Sequence, residues 1–321
     1  MVTNHDEVAA VRPLTLAWVS RHLEVGERIV RTEALHGGIT AEMRRLTIGA
    51  RDGGTRHLVL RSFVDPFYVG HAEDLLNRET GALTLLAGTG VPAPGLIAVD
   101  PTAAHCEYPS LLMTHLAGRT VLDDEGLETR VPLLAHQLVA IHALRPVERP
   151  REYVALTTAD TVVTPKGADA AVWAAAIDVI RKPAPPYEGR FLHRDFQPGN
   201  VLFDVSPPGS ADARISGVVD WAQTSWGPAD LDVAHCSTNL ALLHGPAWGL
   251  RFAEAYEEAG GVLAADASAR LYWLVRSGLA FSEEVQQVAQ PWREAGRTEL
   301  TTRAVEERLD AYVTALMDTL G

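Results

Sequence analysis

The segment Phe191-Leu-His-Arg-Asp-Phe-Gln-Pro-Gly-Asn-Val-Leu-Phe203 carries a histidine, a carboxylate and an amide as His193-x-Asp195-x-x-x-x-Asn200, and Gly217-Val-Val-Asp-Trp221 adds a second carboxylate at Asp220. Moving a phosphoryl group onto a hydroxyl takes a carboxylate that orients and deprotonates the acceptor. It also takes oxygen ligands that hold Mg²⁺ against the phosphates of a nucleotide co-substrate, ATP or GTP. Asp195 is the candidate catalytic base, taking the hydroxyl proton during attack on the γ-phosphate. Asn200 and Asp220 present the oxygen donors that a hard cation prefers. His193 then reads as a support for the loop backbone, since Asp195 already fills the base role.

Short apolar runs flank these residues at Phe191-Leu192, Val201 to Phe203 and Ile215 to Val219, so loops between strands must carry the chemistry. Upstream, a short helix with proline at its start is expected near 13–24, then strands near 28–36, 40–49 and 56–64 joined by glycine-rich turns. A helix follows at about 71–88, closed by Gly88 and Gly90 with prolines beyond, and further strands fall near 95–99 and 110–115. From there the pattern turns helical, at about 130–144, 167–182, 229–243, 247–259, 267–289 and 300–319.

At 321 residues, with 47% hydrophobic and 21% charged content, the chain is long enough for two lobes and too apolar to be disordered. It contains no run of about eighteen apolar residues, which argues against a membrane span. The first residues lack the basic and apolar regions of a signal peptide. Cys106 and Cys236 stand far apart, so a reduced, cytoplasmic protein is expected. The net charge of −13 is uneven: through Leu116 there are 10 basic and 13 acidic residues, afterwards 18 and 28. An acidic C-terminal part does not suit a nucleic-acid backbone and can attract a cationic small molecule. Monomer and homodimer are equally compatible with the sequence.

The loop motif, Val218-Val-Asp-Trp221 and Gly227-Pro-Ala-Asp-Leu-Asp-Val-Ala234 together resemble the aminoglycoside phosphotransferase family, the small-molecule branch of the protein-kinase-like fold. The resemblance runs from about residue 33 to residue 243. It implies a bilobal α+β fold: a small antiparallel-sheet lobe with one main helix over 1–116 for the nucleotide, and a larger, mainly helical lobe over 117–321 for catalysis and the acceptor. Position 194 is commonly glycine in that family and is Arg194 here.

The same resemblance places other residues. Leu35-His-Gly-Gly-Ile-Thr40, with Gly37, Gly38 and Thr40, becomes a loop over the phosphates, although two glycines between strands also make a plain hairpin. Alternation along 56–64 puts Val59, Arg61 and Phe63 on one face. Val59 would then lie against the adenine, and Arg61 would stand where most kinases carry a lysine, or be an ordinary exposed strand arginine. Glu79 lies on the helical stripe of Leu75, Leu76, Leu83 and Leu86, so Arg61 is its natural partner unless it sits at the solvent edge. Met113, Thr114, His115 and Leu116 match the hinge whose backbone binds the purine. Asp232 matches the family's loop-bracing aspartate, or is a helix N-terminal acid.

The resemblance implies a small hydroxylated acceptor, an aminoglycoside or similar antibiotic first, a macrolide or a primary metabolite otherwise. Its contacts would come from Asp230, Glu283 and Glu284 for a cationic molecule, or from Trp273 and Trp292 for an apolar one. His142 reads as a core or loop-supporting histidine, and the His235-Cys236 pair as helix interior. Two rival readings remain: a metal-dependent hydrolase using His193, Asp195, Asp220 and His235 as ligands, and a nucleotide-binding protein without catalysis.

Overall fold

A computed structural model describes residues 12–35, 40–155, 157–204, 213–283 and 285–321. The chain is α+β and divides into two compact units, Met1–Ala117 and Gly118–Gly321.

The first unit opens with α1 (Pro13–Arg21), three residues shorter at its C-terminal end than its sequence pattern suggests. Its exposed N–H groups have no local side-chain cap. Instead the Glu107 carboxylate accepts from the amides of Leu14 and Thr15, each at 2.8 Å, and from the Thr15 hydroxyl at 2.7 Å. A carboxylate at this end also meets the positive pole of the helix dipole. Strands β1 (Arg28–Leu35), β2 (Glu42–Gly49), β3 (Thr55–Ser62), β4 (Leu96–Asp100) and β5 (Ser110–Thr114) form an antiparallel sheet in the order β1-β2-β3-β5-β4.

Strand β3 is central and buried on both faces. Leu58 and Leu60 join Trp18, Val19, Leu46, Ile48 and Leu112 in one apolar cluster that includes α1. The intervening residues, Val59 and Arg61, are buried too and point the other way. After the short α2 (Pro66–Val69), the helix α3 (Ala72–Leu86) buries Leu75, Leu76, Glu79, Ala82, Leu83 and Leu86, the stripe its 3.6-residue period predicts.

The second unit contains α4 (Leu127–His142), α5 (Ala170–Arg181), β6 (Gly189–Leu192), β7 (Val201–Asp204), β8 (Arg214–Val218) and β9 (Ser225–Pro228). Then come α6 (Ala229–His244), α7 (Pro246–Glu258), α8 (Ala267–Ala280), α9 (Val285–Glu294) and α10 (Thr302–Leu320). The strands pair as two short ribbons, β6 with β9 and β7 with β8.

The single helix expected over 267–289 is instead two. Past Phe281 the Ser282 hydroxyl bonds back to the Leu279 carbonyl at 2.7 Å and accepts the Val163 amide at 3.1 Å. A serine bonding locally to the backbone in this way competes with helix continuation.

Helix α6 is buried on nearly every side, Asp230, Asp232, Ser237, Thr238 and Asn239 included, which makes it the axis of the unit. Its last carbonyls are satisfied by arginines of later segments: Arg308 Nη1 donates to Leu242 O at 2.9 Å and Arg297 Nη2 to Leu243 O at 3.1 Å. At the start of the unit Gly118 has φ +103°, and a Cβ there would lie 2.2 Å from Ser216 Oγ and 2.8 Å from Phe203 O. Only glycine fits that approach. No helix among the described residues is long and apolar enough to cross a membrane.

Candidate active site

The loop between β6 and β7 is held by one buried carboxylate. Asp232, in the first turn of α6, accepts the His193 amide on Oδ2 and the Arg194 amide on Oδ1, both at 2.8 Å. His142 Nε2 meets the same Oδ2 at 3.2 Å, and Tyr256 OH lies 2.7 Å from His142 Nδ1. Burial raises the Asp232 pKa, but the His142 hydrogen bond and the surrounding cationic groups outweigh it and hold the carboxyl below its ordinary range.

Arg194 pays for the two amides with a left-handed backbone, φ 72°. That conformation costs nothing for glycine and something for any other residue, a physical reason for glycine at this position in related sequences.

Inside the loop the His193 ring is fully buried. Its Nδ1 accepts the Asp195 amide at 3.2 Å, so Nε2 carries the proton and donates to Val219 O at 3.1 Å. Burial lowers its pKa, against the pull of three nearby carboxylates. Both ring nitrogens are thus used to tie residue 195 to the end of β8.

The Asp195 side chain is 33% exposed. Asn200 Nδ2 donates to its Oδ2 at 2.8 Å and to its main-chain oxygen at 2.9 Å. The Asn200 amide therefore turns its nitrogen toward Asp195 and its oxygen away. Asp220 is half-buried and also left-handed, with φ 63°. An outward amide oxygen and a carboxylate are the donor types a divalent hard cation takes, so these residues fit Mg²⁺.

The first unit brings together a second group. Arg61 and Glu79 are both buried, with Nη1 to Oε2 at 2.9 Å. Arg61 Nη2 also donates to Thr40 Oγ1 at 3.2 Å. Val59 pairs with Met113 across β3 and β5. The Thr114 and His115 amides are engaged within the unit, bonding to Gly95 O at 2.8 Å and His57 O at 3.3 Å, so neither is spare for a purine. Gly37 and Gly38 lie outside the described residues.

The proposed acceptor contacts do not gather. Asp230 and Trp273 line a mostly apolar cavity of about 270 Å³ with Val233, Leu250, Leu274 and Tyr312. Asp230 accepts the Ala264 amide at 3.1 Å, and burial pushes its pKa up. Val233 and His235 are two residues apart on α6, about 200° around the helix, so this cavity lies on the side turned away from Asp195. Trp292 is packed in the apolar core, Glu283 is exposed, and Glu284 lies outside the described residues.

The sequence reading grouped His235 with Asp195 only in the hydrolase alternative and otherwise placed it in a helix interior, whereas its side chain is 20% exposed and meets the Asp195 carboxylate. Its Nε2 lies 2.9 Å from Asp195 Oδ1. A signal existed: a helix whose Asp232 grips residues 193 and 194 presents its next turn, three residues on, to residue 195.

The sequence model of the phosphotransferase enzyme family (APH) matches residues 32–273. No curated protein matches by sequence. Among solved structures, macrolide 2'-phosphotransferase type I is 17% identical with TM-score 0.58, covering 96% of this chain and 98% of its own. Aminoglycoside phosphotransferase APH(4)-Ia is 17% identical with TM-score 0.59, covering 94% and 97%. A thermostable mutant of it, a ternary complex with AMP-PNP and hygromycin B, is 18% identical with TM-score 0.57, covering 89% and 94%. At such identities the likeness establishes the fold, and the family match, which spans most of the sequence including both residue groups above, establishes that this chain belongs to the APH phosphotransferase enzyme family.

Proposed function

We propose that this small-molecule phosphotransferase moves the γ-phosphate of ATP or GTP, with Mg²⁺, to a hydroxyl of a small acceptor. The carrying observation is the Asp195 carboxylate, partly open to solvent and gripped by Asn200 on a loop that Asp232 and His193 hold rigid. Asp195 orients the acceptor hydroxyl and takes its proton. The acceptor oxygen bonds to the γ-phosphorus as the bond to the β,γ-bridging oxygen breaks, and the nucleoside diphosphate leaves. Asn200 and Asp220 would hold Mg²⁺, which would supply charge neutralisation for the phosphates. In the first unit, Arg61, held by Glu79 and Thr40, contacts phosphate, Val59 contacts the base, and the hinge from Met113 to Leu116 meets the purine through its carbonyls and the Leu116 amide.

The complex of the APH(4)-Ia mutant with AMP-PNP and hygromycin B supports a nucleotide and a polyhydroxylated acceptor, and an aminoglycoside is the first acceptor to test. The macrolide 2'-phosphotransferase neighbour makes a macrolide the second. The engagement of both His193 nitrogens weighs against the metal-dependent hydrolase. A panel of hydroxylated antibiotics and metabolites with labelled ATP and GTP, read by mass spectrometry, tests the reading. No labelled product from any acceptor or nucleotide would count against it.

Asp195→Asn should leave nucleotide binding near wild type and lower kcat by at least about 10²-fold. Turnover at the wild-type rate would remove the base assignment. Asn200→Ala and Asp220→Ala should shift the Mg²⁺ titration of turnover to higher concentration, and unchanged titrations in both would reject the metal assignment.

A further inference from the structure

The Asp195 carboxylate is held on both of its oxygens. Asn200 Nδ2 reaches Oδ2 at 2.8 Å, and His235 Nε2 reaches Oδ1 at 2.9 Å. A short aspartate side chain has two torsions, and one donor alone leaves the carboxylate free to swing about that contact. Two donors on different oxygens fix its plane, and each oxygen keeps a lone pair with which to take a proton.

The His235 ring is itself well placed. It sits one turn after the loop-gripping Asp232 on α6, its centroid is 5.5 Å from that of Phe281, and its side chain is 20% exposed. One turn further, Asn239 Nδ2 bonds to the His235 carbonyl at 3.0 Å. The ring is therefore carried by the most buried helix of the unit rather than by a loop.

We infer that His235 is a positioning residue for phosphoryl transfer, its Nε2–H donating to Asp195 Oδ1 so that the carboxylate presents a fixed lone pair to the acceptor hydroxyl. This rests on Asp195 being the base. It assigns a tautomer, with the proton on Nε2, and it separates His235 from Asn200: the histidine serves Asp195 alone, while the asparagine also turns its oxygen outward.

The test combines spectroscopy on the intact, ligand-free protein with kinetics. In ¹⁵N-histidine-labelled protein, with the His235 signal identified by its loss in His235→Gln, Nε2 should carry the proton and its resonance should move in Asp195→Ala. A bare Nε2, with the proton on Nδ1, overturns the inference without any acceptor. Kinetically, with Mg-ATP as the probe and transfer to water as the measured reaction, His235→Phe should lower kcat by about 10-fold or more at unchanged nucleotide KM, the size expected for losing a hydrogen bond to a charged group.

His235→Gln, whose amide nitrogen reaches about as far, should recover most of that loss, while both variants melt near wild type. Equal impairment in Phe and Gln, or wild-type turnover in Phe, overturns the positioning role. The double variant with Asp195→Asn should be no slower than Asp195→Asn alone, because His235 acts only through that carboxylate. Wild-type turnover in Asp195→Asn would instead remove the base assignment beneath it, so the two failures are distinguishable.

Discussion

Two buried carboxylates organise the two units, and they do it differently. In the first unit, Glu79 meets a full positive charge, the Arg61 guanidinium, which also reaches Thr40. In the second, Asp232 meets two main-chain amides and a histidine. An ion pair joins two side chains and leaves the backbone around them unconstrained. A carboxylate on consecutive amides fixes the backbone itself, and here it does so at residues 193 and 194, immediately before Asp195. Phosphate binding tolerates some side-chain adjustment, whereas a base must be placed to within a fraction of an ångström. On the roles proposed above, each carboxylate has the partners its task requires.

The largest expected effect breaks that difference directly. Asp232→Ala strands two buried amides and the His142 ring, so it should cost about 3–5 kcal/mol, the range for removing one partner of a buried charged network. Chemical denaturation measures it. Since Glu79→Ala takes the carboxylate from the buried Arg61 charge at a similar cost, hydrogen exchange tells the two variants apart. The 193 and 194 amides should lose protection only in Asp232→Ala, and equal loss in both variants would mean that the two carboxylates are equivalent.

Acid should separate the units next. His244 donates through Nδ1 to Asp124 Oδ1 at 2.6 Å, while its buried Nε2 has no hydrogen-bond partner, so a second proton there would be stranded. Burial pushes its pKa down from 6.5 to about 4, against the pull of Asp124. The unfolded chain therefore takes up this proton more readily than the folded one. The stability it contributes is complete above about pH 6.5 and is lost as pH falls toward about 4, on the order of 3 kcal/mol at most.

His193, lowered in the same direction by burial, adds to this trend. Hydrogen exchange at pH 7 and pH 4.5 should show protection falling more in residues 118–321 than in residues 12–117. Equal loss in both would break the contrast, and His244→Phe should flatten the dependence.

The smallest effect sharpens the description of the first unit. A double-mutant cycle of Arg61→Ala and Glu79→Ala on nucleotide affinity should show coupling of about 0.5–3 kcal/mol, as for residues in contact. Additive losses would mean that Glu79 does not act on nucleotide binding through Arg61.

The Arg61–Glu79 contact follows from two periodicities, the alternation of β3 and the apolar stripe of α3, because each turns one polar residue inward and a buried charge requires an opposite one. The break between α8 and α9 was not legible, because a serine can bond back to its own helix without ending it, and the Val163 amide that engages the Ser282 hydroxyl lies more than a hundred residues away. Neither was the cavity that takes Asp230 and Trp273 away from Asp195: which side of α6 faces which neighbour follows from docking, not from the helical period alone.

What the sequence by itself determined is the short-range chemistry. Asn200 can grip Asp195 because the four residues between them, with Pro198 and Gly199 in a tight turn, bring an amide back to the carboxylate. What only the tertiary structure decided is which distant residues complete it. His235 lies 40 positions from Asp195 and Asp232 lies 39 from His193, separations at which spacing carries no geometric information. Those contacts exist because α6, buried nearly all round, is fixed in place by its packing, and its first two turns then deliver a carboxylate and an imidazole to the same loop.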